Sequence, residues 1–196
     1  DNSNIIIIEK KNEVYITVNC DSGVQREISE FFTFYVPGYK FMPAFRNRMW
    51  DGKIRLFSQK TKEIYFGLYP YIKAFAEERG YNIVAGKDID IDNKVDKEVV
   101  TKFSNSLGQK FEARDYQIDA IFHSLKRNRA LLLSPTASGK SFIIYSLIRY
   151  YTHLIKEQQN NRILLIVPTT SLVEQMYTDF ESYGWNVKKY CHRLYS

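Results

Sequence analysis

The chain has 196 residues, 44% of them hydrophobic, 26% charged and 15% aromatic, with a formal net charge of +6. That supplies apolar material for one large or two small cores, and it excludes a disordered tail, a collagen-like fibre and a disulfide-stapled secreted module. No apolar run approaches the ~18 residues of a membrane helix, the N-terminus Asp1-Asn2-Ser3-Asn4 lacks the basic start of a secretory signal, and Cys20 and Cys191 stand far apart, which reads as a reduced, cytoplasmic protein without a membrane partner.

In chain order, Asn4 to Glu9 and Val14 to Asn19 predict two strands around a turn at Lys10 to Glu13, with Val14, Ile16 and Val18 alternating with polar positions. Asp21 or Ser22 caps a helix reaching about Phe32, ended by Pro37-Gly38. Asp51-Gly52 signals a tight turn into a strand from Lys53 to Phe57, and Glu63 to Phe66 suits the next strand. A helix from Pro70 to Arg79 has Pro in its first turn and Gly80 past its end, before a last strand at Tyr81 to Val84. Residues 1–86 therefore read as one small α+β domain.

Asp88-Ile-Asp90-Ile-Asp92 has the look of a calcium loop but the wrong spacing, since Asn93 and Val99 stand where Gly and Glu are required. Residues 87–109 read instead as a solvated linker with a short helix at about Asp96 to Leu107. From 110 to 196 the rhythm changes. Helices are expected at Arg114 to Asn128, Gly139 to Ile155 and Thr170 to Tyr183, and strands at Ala130 to Leu133, Arg162 to Val167 and Trp185 to Tyr190. Alternating strands and helices predict a parallel sheet.

The charge is unevenly placed. Between Tyr39 and Lys73 lie eight basic residues and two acids, a net +6 that equals the whole chain's. Lys40, Arg46, Arg48, Lys53 and Arg55 are interleaved with aromatics that include Trp50. Cations that neutralise phosphates beside flat rings that stack on bases point to DNA. As a set the basic residues read as phosphate contacts, whereas most of the aromatics read as core.

Leu131-Leu132-Leu133 leads into Ser134-Pro135-Thr136-Ala137-Ser138-Gly139-Lys140-Ser141 and then into a helix. That is the setting of a nucleotide-binding loop: backbone N–H groups and the helix N-terminus face phosphate oxygens, Gly139 lets the backbone approach, Lys140 reaches the β- and γ-phosphates, and the Ser141 hydroxyl binds Mg²⁺. Ser134 occupies the place where the general pattern has glycine. Arg114-Asp115-Tyr116-Gln117 lies upstream, and Val167-Pro168-Thr169-Thr170-Ser171-Leu172 follows the next apolar run. Ligands of parallel sheets bind at the carboxyl ends of the strands, so the loop and Pro168 to Ser171 should share that edge.

Taken together, Arg-x-Tyr-Gln, Pro-Thr-x-x-Gly-Lys-Ser and Val-Pro-Thr-x-x-Leu-x-x-Gln resemble the first motifs of superfamily 2 helicases. Phe31-Phe32-Thr33-Phe34, Gly38-Tyr39-Lys40-Phe41, Trp50-Asp51-Gly52-Lys53-Ile54-Arg55-Leu56 and Phe66-Gly67-Leu68 resemble the accessory domain of UvsW-type phage helicases. The resemblance implies an α+β DNA-binding domain followed by the first part of a RecA-like motor domain. It further implies ATP and Mg²⁺ as cofactors, adenine recognition by Arg114 and Gln117, a triphosphate loop of Pro135, Thr136, Ala137, Ser138, Gly139, Lys140 and Ser141, and DNA-backbone contact at Pro168, Thr169 and Thr170. By the same resemblance the whole protein is a DNA helicase acting on branched DNA and R-loops in phage recombination, repair and replication, in the host cytoplasm.

A motor of this kind also needs an Asp-Glu pair for Mg²⁺ and the attacking water, and a second motor domain. No Asp-Glu dipeptide occurs in the 196 residues, and the chain does not begin with Met. The expectation is a monomeric N-terminal fragment that binds DNA and nucleotide without turnover. Two other readings stay open: a DNA-binding module whose loop only senses nucleotide, and a restriction-type translocase or RNA helicase. Cys191-His192 has no partner pair for zinc.

Overall fold

Consecutive isoleucines at the N-terminus form a strand because β-branched side chains pack well on a pleated surface, and the pleat sends alternate ones to opposite faces. In β1 (Ile5–Lys10) Ile6 and Ile8 are buried while Ile7 is exposed. β2 (Tyr15–Asn19) buries Ile16 and Val18 in the same way. The two strands pair antiparallel with Ile8 opposite Val18, and the Asn12 side chain closes their turn by accepting from the Val14 and Tyr15 N–H groups, each at 2.8 Å. This computed structural model describes residues 4–89, 93–155 and 162–195, and the chain divides into two units, Asp1–Ile91 and Asp92–Ser196.

In the first unit α1 (Ser22–Phe31) starts where the Asp21 carboxylate accepts from the Gly23 N–H at 2.8 Å. β3 (Thr33–Tyr35), α2 (Pro43–Arg46), β4 (Lys53–Arg55) and β5 (Glu63–Tyr65) follow. Then α3 (Tyr69–Arg79), with Pro70 in its first turn and the left-handed Gly80 at its end, leads to β6 (Asn82–Ala85). The sheet order is β5-β2-β1-β6, antiparallel except for the parallel β1–β6 pair.

Ile6, Ile8, Ile16, Val18 and Ile64 of the sheet meet Val24 and Ile28 of α1 and Ile72, Phe75 and Ala76 of α3 in one cluster. Both helices therefore cover the same sheet face. Truncating one such isoleucine to alanine costs about 2–5 kcal/mol. The Arg79 guanidinium clamps the helices together, lying 4.3 Å from the Phe75 ring, 5.6 Å from Phe31 and 3.7 Å from Glu27.

Residues 33–56 form a lobe with a different construction. β3 and β4 pair antiparallel, Phe34 opposite Ile54. Between them a tight helical turn at Tyr39–Phe41 and the four-residue α2 carry the chain outward. Gly52 is the lobe's one buried residue. Stacked rings stand in for a core: Tyr35 on Tyr39 at 4.6 Å, and Tyr39 edge-on to Phe45 at 4.8 Å. Gly52 is required here twice over, by its φ of +81° and because a Cβ would stand 2.2 Å from the Tyr39 ring. Neither β3 nor α2 is expected from the sequence, because their few residues carry too little periodicity to register.

The described part of the second unit contains α4 (Lys97–Asn105), α5 (Asp115–Arg127), α6 (Lys140–Ile155), α7 (Thr170–Ser182) and the short α8 (Val187–Tyr190). α6 is central. Ile143 packs with Val100, Ile121 and Leu125, while Phe142 and Tyr145 pack with Leu107, Phe180 and Val187. The buried Tyr145 hydroxyl donates to the Leu107 carbonyl at 3.3 Å and accepts from Arg149 at 2.6 Å.

The structure corrects three expected strands. Ala130 to Leu133 and Arg162 to Val167 are not strands, because a strand exists by its ladder and neither run is hydrogen-bonded to a neighbour among the described residues. Leu131 and Leu133 are 82% and 89% exposed and Ile166 is 81% exposed. Trp185 to Tyr190 instead holds α8, begun by the Asn186 side chain accepting from the Lys189 N–H at 3.3 Å. The parallel sheet expected for residues 110–196 is accordingly not formed among the described residues. The parallel pair found among them is β1–β6, in the first unit. Asp90, Ile91 and Asp92 of the rejected calcium motif lie outside the described residues. Among the described residues no helix is long and apolar enough to cross a membrane, and no metal-binding group of His, Cys, Asp or Glu occurs.

Candidate functional site

In the second unit the loop Ser134 to Gly139 enters α6 directly, so the first N–H groups of a 16-residue helix open onto it. Two of its residues have positive φ, Ala137 at 62° and Gly139 at 76°. For Ala137 this is a strained conformation, costing about 1–3 kcal/mol and persisting only where surroundings impose it.

α5 imposes it. Gln117, 5% exposed, accepts from the Arg114 N–H at 3.0 Å through its carbonyl oxygen. Its amide nitrogen donates to the Ser138 and Gly139 carbonyls at 3.3 and 3.4 Å. The Tyr116 hydroxyl donates to the Ser138 carbonyl at 2.8 Å and accepts from the Arg114 guanidinium at 3.1 Å. The first turn of α5 thus holds the loop's last carbonyls. Gly139 has no space for a side chain, since a Cβ would lie 2.4 Å from the Gln117 nitrogen.

Lys140 donates to the Pro135 carbonyl at 2.7 Å, which folds the loop over its own lysine. The Ser134 and Ser138 hydroxyls bond each other across the loop. Ser141 Oγ lies 3.0 Å from the Tyr183 hydroxyl. A cavity of about 600 Å³ is lined by Tyr116, Ala120, the run Leu131–Ser138 and Ile143, a volume in the range of small-molecule sites. Arg114, Gln117, Gly139, Lys140 and Ser141 are not in its wall. Gln117 is committed to the loop and to its own helix start in this arrangement. Pro168, Thr169 and Thr170 are at the start of α7, where the Thr169 hydroxyl accepts from the Leu172 N–H at 3.3 Å. Tyr116 falls within the Arg-x-Tyr-Gln pattern, yet the pattern alone assigns it no role. Tyr183 has no sequence signal at all, because its link to Ser141 spans 42 residues.

In the first unit all six sequence-selected residues fall in the 33–56 lobe. Lys40 is in the Tyr39–Phe41 turn, Arg46 ends α2, Arg48 and Trp50 follow it, and Lys53 and Arg55 share one side of β4. The Trp50 indole N–H donates to the Lys53 carbonyl at 2.9 Å, and the Lys53 ammonium stands 4.9 Å over the Tyr35 ring. Asp51, the lobe's acid, is bound bidentate by Arg55 and accepts from the Lys53 N–H at 3.1 Å. The Arg55 hydrogen bond, helped by that backbone donor, brings the Asp51 carboxyl down to about 2. The other acid of the basic stretch, Glu63, pairs with Lys11. Lys40, Arg46 and Arg48 have no ion pair among the described residues. The lobe thus presents net positive charge and rings with no buried core beneath them.

The chain thus joins a basic α+β unit to a helical unit with a Gly-Lys-Ser loop at the start of α6, and the two match different families. Residues 6–86 match the family described as DNA helicase UvsW, N-terminal, and residues 110–195 match the family described as type III restriction enzyme, res subunit. The ATP-dependent DNA helicase uvsW of Enterobacteria phage T4 is 34% identical over 174 residues, covering 86% of this chain and 34% of that protein. Crystal structures of the UvsW helicase from bacteriophage T4 superpose with TM-scores of 0.77 and 0.78 at 33% and 34% identity, each over 91% of this chain and over 64% and 36% of the solved chains. Residues 6–86 are thus of the UvsW N-terminal type, and the chain spans about a third of the length of the curated relative it matches.

Proposed function

We propose that the whole protein is an ATP-dependent DNA helicase, with the second unit supplying the first part of a RecA-like ATP-binding motor and the first unit holding DNA. The observation that carries this reading is the loop itself: a strained turn pinned by Gln117 and Tyr116 at the mouth of a long helix, with no room for a side chain at Gly139. The donor set fits a nucleotide triphosphate with Mg²⁺. Lys140, now on the Pro135 carbonyl, would hold the β- and γ-phosphates, the α6 N–H groups would hold phosphate oxygens, and the Ser141 hydroxyl would hold the metal. Bound Mg²⁺ neutralises phosphate charge in such sites. Adenine recognition falls to Arg114 and Gln117, and Pro168, Thr169 and Thr170 touch the DNA backbone.

Branched DNA and R-loops are the proposed substrates in phage recombination, repair and replication. In the full-length protein Lys140→Ala should abolish ATP hydrolysis and leave DNA binding largely intact. Normal unwinding by that variant overturns the loop assignment. The 196 residues contain no Asp-Glu pair, so Lys140-dependent ATP turnover by these residues alone would contradict the proposed division of labour.

The match of residues 110–195 to a restriction-enzyme subunit supports a second reading, a duplex translocase. Strand displacement on forked DNA by the full-length protein favours the helicase; movement along duplex without displacement favours the translocase.

A further inference from the structure

Between α2 and β4 the chain forms a shallow, open depression of about 560 Å³ lined by Phe45, Arg46, Arg48, Met49, Trp50 and Asp51. Its apolar wall is made by Phe45, Met49 and Trp50, and its cations are two guanidiniums with no ion pair among the described residues. The wall is fixed from behind. Phe45 stands edge-on to Tyr39, and the Trp50 indole is tied to the Lys53 carbonyl. The Met49 and Trp50 N–H groups both donate to the Ala44 carbonyl, at 2.9 and 3.2 Å. Met49 nevertheless remains 75% exposed. Arg48 sits at a φ of 58°, a conformation that a non-glycine residue keeps only where its surroundings hold it. The single carboxylate of the rim, Asp51, is already neutralised by Arg55.

We propose that this depression receives one unpaired nucleotide of a DNA strand, the base lying against Phe45, Met49 and Trp50 and the adjoining phosphates meeting Arg46 and Arg48. The inference rests on the reading of the first unit as DNA-binding and adds the state of the DNA that it selects. A paired base shows a protein only its edge, because its faces are stacked on its neighbours. An aromatic-walled hollow meets a base face only when that base has left the stack. Free guanidiniums at the rim supply the charge complement of the backbone. The lobe should therefore favour forks and junctions with unstacked bases over continuous duplex.

The test titrates the 196-residue chain with two DNAs of equal length, a blunt duplex and a fork carrying 2-aminopurine at its first unpaired position. The expected result is tighter binding to the fork and a change in 2-aminopurine emission that is absent when the probe is paired in the duplex. Trp50→Ala should lower fork affinity by roughly 5- to 100-fold, the range of one base–aromatic stack, and duplex affinity by much less. The exposed Met49→Ala, which is not expected to disturb folding, should shift the same ratio in the same direction. The pocket is overturned if both variants weaken fork and duplex equally, or if the probe stays silent in a bound complex. An Arg46→Ala and Arg48→Ala double variant that binds neither DNA, while Met49→Ala binds both as before, would keep the backbone contact and reject the pocket. Binding of neither DNA by the wild-type chain overturns the DNA reading and the pocket together.

Discussion

A Cβ on Gly139 would stand 2.4 Å from the side-chain nitrogen of Gln117, so α5 meets the loop at the start of α6 where only a glycine fits. The close approach lets one buried amide hold two successive loop carbonyls. Gly139→Ala should therefore act on the loop twice. The left-handed φ of 76° costs a non-glycine residue about 1–2 kcal/mol, and the methyl group displaces Gln117. The expected outcome is a melting temperature lowered by several degrees and an affinity for a fluorescent ATP analogue lowered at least ~10-fold. An unchanged nucleotide titration would detach this contact from nucleotide binding.

Asp51 keeps Arg55 from contributing its charge. Asp51→Asn should release that guanidinium while the side-chain amide oxygen still accepts from the Lys53 N–H. DNA affinity is expected to rise, and the log–log salt dependence to steepen by about 0.9 for one added phosphate contact. Conversely, Ala at Arg46, Arg48, Lys53 and Arg55 should flatten the slope by about 0.9 for each phosphate no longer neutralised. Titrations between low and moderate salt measure both. Identical slopes would place the DNA surface outside residues 33–56.

The elements legible in the sequence are those whose signals are local. Asp21, Asp96 and Thr169 cap helices with side chains that accept from nearby N–H groups, and Gly80 ends one at positive φ. Ile6, Ile8, Ile16 and Val18 show their inward face by alternation alone. The runs Leu131–Leu133 and Ile163–Ile166 look equally strand-like, yet a strand needs a neighbour and no local pattern says whether one is in place. The Gly-Lys-Ser loop proposed to bind phosphate is legible as a motif, and so is the likeness of Arg114 and Gln117 to a nucleotide motif. The bonds of Tyr116 to the loop and of Tyr183 to Ser141 are not, because links across 22 and 42 residues leave no trace in spacing.

Cys20 offers a pH test of the first unit. Half-burial, with Asp21 beside it, pushes its thiol up to about 11 from an ordinary value near 9.0. A group with a raised folded pKa supports the fold below its unfolded pKa, and that support fades as pH rises from about 9 through about 11, where the unfolded chain binds fewer protons. Burial also raises Cys191. Alkylation of the folded chain should be slow at neutral pH, and for Cys20 it should accelerate toward pH 11. Mass spectrometry after timed iodoacetamide exposure reads this out, and fast modification of Cys20 near neutral pH would contradict the burial.

Ser141 and Tyr183 share a hydrogen bond of 3.0 Å in which either hydroxyl can donate, and it competes with the role proposed for the serine when Tyr183 is the donor. With Tyr183 as donor, the Ser141 oxygen would have to give that lone pair to Mg²⁺ and the Tyr183 hydroxyl would turn to water. Tyr183 also packs edge-on against Phe142 at 5.6 Å, so removing only its hydroxyl preserves that packing. A hydrogen bond of this kind contributes about 0.5–1.5 kcal/mol. Tyr183→Phe should consequently raise affinity for the nucleotide in the presence of Mg²⁺ by roughly 2- to 10-fold, and leave affinity without Mg²⁺ nearly unchanged. Ser141→Ala should remove the difference between the two conditions. If Tyr183→Phe shifts binding equally with and without Mg²⁺, Tyr183 acts on the shape of the loop and not on the metal ligand.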